Sequence, residues 1–130
     1  MVAVPGPQVA RNRISGYYLS MSVSTCSLVF DQISAAQAFP GVSIDKLVMA
    51  LLATLHPEPD WEGGLLYSCP SPLDRENSAC LVTRGPAAEV IQERLVGAME
   101  KHGIVVIELF EGGPEPVSVI ARVAQGRWQL

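Results

Sequence analysis

The sequence predicts an α+β fold: a ferredoxin-like split βαβ sandwich in the order β-αα-β-β-α-β-β, with a mainly antiparallel sheet and helices on one face. Three observations predict it. Over residues 85–123 the chain reads as a capped helix, an apolar strand, a Gly/Pro turn and a second strand. Residues 17–24 alternate apolar and polar side chains at the period of a strand. Right-handed crossovers then bring both helical layers to the same side of the sheet, which leaves the opposite face or an edge to be covered by a second subunit.

The helix of the 85–123 stretch has both ends written into it. Pro86 suits a first helical position, where its missing N–H would be unpaired anyway, and Gly103 suits a left-handed cap. Between them Ala87, Ala88, Ile91, Leu95, Ala98 and Met99 recur at three- and four-residue steps, so one face lies on something apolar. Ile104, Val105, Val106 and Ile107 follow without a polar residue, the pattern of a strand covered on both faces in the middle of a sheet. After the turn at residues 111–116, Val117, Val119, Ala121 and Val123 share one face of a last strand, a candidate edge for self-association.

Upstream, Tyr17, Leu19, Met21 and Val23 form the apolar face of strand one, and Ser20, Ser22 and Ser24 line the other. Leu28, Val29, Ile33, Ala36 and Phe39 fit a helical face that Pro40 and Gly41 stop. Ser43 offers an N-cap to a second helix carrying Asp45 in its first turn and Leu47, Val48, Leu51, Leu52 and Leu55 before Pro57. That helix is apolar nearly all round and belongs in the core. Residues 56–60 alternate proline with polar groups, a linker of fixed shape. Residues 65–69 and 79–84 read as two strands of a hairpin with a long connection at 70–78.

By length, the 130 residues make one domain: a loose arm at 1–15 and a single α/β unit at 16–130. Mean hydropathy is +0.27, and only 17% of residues are charged, so some apolar surface is expected to lie between subunits in a dimer or trimer. The net charge of −4 and the absence of any Lys/Arg-rich window argue against nucleic acid as a partner. The longest apolar run, 47–55, is about half of the roughly 20 residues a membrane-spanning helix needs. Three cysteines without a CxxC pair, behind an N-terminus with no secretory pattern, suit a reducing compartment, the cytoplasm by default.

Chemistry-bearing residues are few. His56 and Asp60, with Glu58 between them, could act as acid, base or ligand, and Cys69, at a strand end before Pro70, is the best placed of the thiols for nucleophilic work. Their spacing matches no metal motif, and no phosphate loop or dinucleotide fingerprint is present, so neither metal nor cofactor is expected. Arg84, where a strand meets a helix N-terminus, is a candidate for a small anionic ligand. The 70–78 connection, with Asp74, Arg75 and Asn77 near its tip, is the first choice for a recognition surface. Trp61 is expected to cap the end of the apolar helix, and Trp128 either folds back on the domain or docks on a neighbour.

Val82, Thr83, Arg84 and Gly85, leading into an alanine-containing helix and an apolar strand, resemble a segment of bacterial microcompartment shell proteins, and the element order resembles PII-type regulators. The PII resemblance implies a long nucleotide-binding loop between the second and third strands, for which residues 70–78 are short, and neither resemblance carries residues over. The expectation is therefore a non-enzymatic homo-oligomeric module that binds a small ligand or a protein partner. The alternatives are a small enzyme with its active site at a subunit interface and a self-assembling structural subunit.

Overall fold

Ser24 opens the first strand of the computed structural model, which describes residues 24–71, 77–116 and 118–130. The expected arm and all of the expected first strand except Ser24 lie outside the described residues. β1 (Ser24–Asp31) runs through residues that the sequence assigned in part to a helix. The correction has a simple cause. β1 is paired on one side with β3 (Ser78–Gly85) and on the other with β4 (Val106–Glu111), so Cys26, Leu28 and Phe30 are buried on one face and Ser27 and Val29 on the other. A strand buried on both faces has no polar alternation to announce it. Helix α1 (Gln32–Ala38) starts only after Asp31, whose carboxylate accepts a hydrogen bond from the Ser34 N–H at 2.7 Å.

Helix α2 (Ile44–Leu52) is capped by Ser43 and buries Leu47, Val48, Leu51 and Leu52, the core role its composition predicted. It stops short of Leu55 because the Thr54 and Leu55 N–H groups close tighter turns onto the Leu51 and Leu52 carbonyls. A 3₁₀ turn at Pro59–Trp61 then feeds β2 (Leu65–Cys69), which pairs antiparallel with β3 as expected.

Helix α3 (Ala88–Lys101) begins two residues beyond Pro86, a shift from the expected start: β3 continues to Gly85, and Pro86 and Ala87 form the turn that reverses the chain. Its other end is as expected. Gly103 has φ +80°, its N–H reaches the Glu100 carbonyl, and the Ile104 N–H reaches Met99. This is a Schellman closure, with buried Ile104 and Met99 in the same core cluster.

That closure explains a second correction. Ile104 belongs to the helix cap, Val105 is 56% exposed, and among the described residues β4 is an edge strand paired only with β1, not the middle of the sheet. Among the described residues the antiparallel sheet has six strands in the order β4-β1-β3-β2-β5-β6, with β5 (Val119–Ala124) and β6 (Arg127–Gln129) joined through Gln125 and Gly126, both at positive φ. β5 is therefore interior, flanked by β2 and β6, and is not the edge the sequence suggested. Its register slips against β2, with Leu66 opposite Ala121 but Tyr67 opposite Val119. The extra residue turns Ile120 to the same core as Ala121, which strict alternation would not allow.

All three α-helices contribute to one cluster with Leu28, Phe30, Leu66, Leu81, Ile120 and Ala121, so they cover a single sheet face. The other face carries Val29, Tyr67, Cys80 and Val82, and a strap of this chain's own residues lies across part of it. The connection from β4 to β5 must cross β1, β3 and β2, which at roughly 4.8 Å per strand is about 19 Å. An extended chain at roughly 3.1 Å per residue covers about 25 Å between Glu111 and Val119. The segment expected to be a turn is thus an extended crossover, which Pro114 and Pro116 favour.

Candidate functional site

The strap meets the sheet through a series of contacts on the face away from the helices. The Gly112 N–H donates to the Thr25 carbonyl at 2.8 Å, and the buried Ser27 hydroxyl donates to the Gly112 carbonyl at 2.6 Å. The Tyr67 hydroxyl donates to the Pro114 carbonyl. Burial raises the Tyr67 pKa, with the neighbouring Arg84 cation opposing the rise. Last, Arg84 Nη1 lies 2.8 Å from Glu115 Oε2. Arg84 keeps about a third of its side chain exposed and Glu115 most of its own, so the pair is water-screened and the guanidinium has donors left for an anion. Hydrogen bonding to Glu115 raises the Arg84 pKa further, and the cation is permanent.

At the other end of β3 lie Asn77 and the base of the 70–78 connection. Asn77 has φ +63° and gives its carbonyl to the Gln32 N–H at 2.6 Å, while Gln32 Nε2 reaches the Ser78 carbonyl. Asn77 and Ser78 are therefore tied to the start of α1. Asp74 and Arg75 lie outside the described residues. The run of β3 separates Asn77 from Arg84, so these two recognition candidates sit at opposite ends of the sheet.

The catalytic candidates lie on either side of β2 in the chain. Leu65 stands opposite Arg84, and Cys69 opposite Cys80. His56 and Asp60 precede β2 in the chain, and Cys69 closes its far end. Among the described residues no three metal-ligating side chains are grouped. Glu58 is committed to Arg94 at 2.9 Å, and Arg94 in turn stacks 5.6 Å over the Trp61 ring.

No family model, curated protein or solved structure matches the chain.

What the structure does bring together are two chemistries on one face: a cation beside the strap, and a pair of thiols at the Asn77 end. Cys69 and Cys80 are cross-strand neighbours packed with Tyr67, Val82 and Val29, and both are free thiols. Cys80 is buried, which, with a hydrogen bond to the Cys69 side chain, pushes its pKa up to about 12. Cys26 also rises to about 12, through burial and then the charges of Glu89 and Glu111, but it lies on the helix-covered face. Tyr67, Ser27 and Glu115 went unmarked in the sequence, although Gly-Gly-Pro-Glu-Pro was a legible sign of an extended, backbone-hugging segment.

Trp61 is fully buried, and Trp128 is half-buried. Trp128 folds back, its Nε1 donating to the Leu55 carbonyl at 3.0 Å, and its ring stands 6.2 Å from that of Trp61. Trp128 is the side chain that meets the end of α2, and Trp61 packs with Ala87, Ile91 and Val123. No helix among the described residues is long and apolar enough to cross a membrane.

Proposed function

We propose that the protein is a non-enzymatic homo-oligomeric binding module of ferredoxin-like topology. Strands β4-β1-β3-β2 supply the topological support: β1 and β2 are joined through α1 and α2 and flank β3, while β3 and β4 are joined through α3 and flank β1. β5 and β6 extend this sheet beyond β2. The observation that carries the assembly reading is the outer edge of β4, which among the described residues pairs only with β1 and carries Leu109 at 48% exposure after Val105 at 56%. It holds neither proline nor lysine to discourage pairing.

A second copy pairing antiparallel about Leu109 places Glu108 opposite Phe110 of that copy and Glu111 opposite Ile107. No carboxylate then opposes another, and the contact closes as an isologous dimer. Arg84 is the cation offered to a small anionic ligand or an acidic partner, with the 70–78 connection as a second recognition surface.

Sedimentation velocity at micromolar concentration tests the assembly. The expected result is a dimer for the native chain and a folded monomer for Leu109→Lys. A native chain that sediments as a monomer overturns the reading.

A further inference from the structure

Cys69 and Cys80 are directly opposite each other in the β2–β3 ladder. Opposed residues of an antiparallel pair have Cα atoms about 4.5 or about 5.5 Å apart, depending on whether they exchange hydrogen bonds. Both separations fall inside the roughly 4.4–6.8 Å window that a disulfide spans. The two side chains share one sheet face and one packed cluster, so no strand has to move far for the sulfurs to join.

We propose that Cys69 and Cys80 are a reversible dithiol–disulfide pair, oxidised by a hydroperoxide, which ties β2 to β3 at the Asn77 end of the sheet. The inference does not depend on the assembly of the chain. The unequal exposure of the two residues sets their order of reaction: Cys69 is partly exposed, whereas Cys80 is 2% exposed. Burial holds Cys80 in its protonated form, so it does not compete for the oxidant.

In the first step the Cys69 thiolate attacks one oxygen of hydrogen peroxide. An S–O bond forms, the O–O bond breaks, and the departing hydroxide takes up a proton, leaving Cys69 as sulfenic acid and one water. In the second step Cys80 Sγ attacks the Cys69 sulfur. The S–S bond forms, the S–O bond breaks, and the Cys80 thiol proton leaves with the hydroxide as a second water. Two thiols lose two electrons in all, and the peroxide gains them.

Cys26 serves as an internal control. It is 4% exposed, its strand neighbours are Thr83 and Glu111, and neither is a thiol.

The experiment treats the full chain with hydrogen peroxide at equimolar ratio, alkylates it in denaturant and maps the modified peptides by mass. The expected result is joint loss of alkylation at Cys69 and Cys80 in a single-chain disulfide, restored by dithiothreitol, with Cys26 alkylated throughout. In Cys80→Ser, Cys69 is expected to yield a sulfenic acid that dimedone traps, and in Cys69→Ser, Cys80 is expected to keep its thiol. Three results would overturn the proposal: Cys69 oxidised beyond the sulfenic acid in the native chain while Cys80 stays free, a disulfide between two chains, or undiminished oxidation of Cys80 in Cys69→Ser. The native-chain map decides the matter even if either variant fails to fold.

Discussion

Gly113 lies so close to Ser27 that a Cβ on the glycine would stand 2.8 Å from Ser27 Oγ, and also 2.9 Å from Val82 Cγ1. Both neighbours are fully buried members of strands held in the middle of the sheet, so they have little room to give way. The strap can hug the sheet only because residue 113 has no side chain. Gly113→Ala is expected to destabilise the fold by about 1–3 kcal/mol, the usual cost of overpacking. Urea unfolding checks this, and an unchanged midpoint would show that the strap's contact is dispensable.

Trp128 ties the last hairpin to the core from a strand of only three residues. Removing residues 127–130 deletes the Trp128–Leu55 hydrogen bond and uncovers Trp61, with an expected loss of about 2–4 kcal/mol. The loss should appear as a lower urea midpoint at every protein concentration. A change that depends on concentration instead would mean that the tail acts in assembly.

Thr83 is 1% exposed between Cys26 and Leu66, and its hydroxyl has no hydrogen-bond partner among the described residues. A buried hydroxyl without a partner costs roughly 1–3 kcal/mol, whereas a methyl in its place costs nothing of that kind. Thr83→Val is therefore expected to raise stability by about 1 kcal/mol, read as an upward shift in Tm. A fall in Tm would show that the hydroxyl is satisfied in solution.

Cys26 links stability to pH. Its thiol is held up to about 12 in the fold against an ordinary value of 9.0, so in that interval the unfolded chain releases a proton that the folded chain keeps. Stability is fully present below about pH 9 and falls as pH rises through the interval, by at most about 1.4 kcal/mol per pH unit for this thiol. Urea midpoints across that range check the slope. Cys26→Ala is expected to lower stability throughout and to flatten the alkaline fall relative to the native chain; an equally steep fall would assign it to other groups.

The local elements were the legible part of this protein. The Ser43 cap, the leucine-rich α2, the β2 and β3 strands and the Gly103 closure were readable because each is decided within a few residues by a capping hydroxyl, an apolar period or a positive φ. β1 was not legible as a strand, since a segment buried on both faces shows no alternation and its leucine and valine spacing serves a helix equally well. The 104–107 run misled for the opposite reason: its apolar residues are shared between a helix cap and an edge strand, two environments that sequence spacing does not separate.

The candidate site divides along the same line. Arg84, Asn77 and Cys69 could be named from residue type and position. Tertiary structure alone decided which residues meet. Strand pairing is non-local, so it placed Arg84 and Asn77 at opposite ends of β3 and set Cys69 opposite Cys80. The strand order carried residues 112–116 across the sheet, bringing Glu115 to Arg84 and Gly113 onto Ser27. A chain records its turns and caps locally, but contacts between distant segments follow from the order in which the strands are laid side by side.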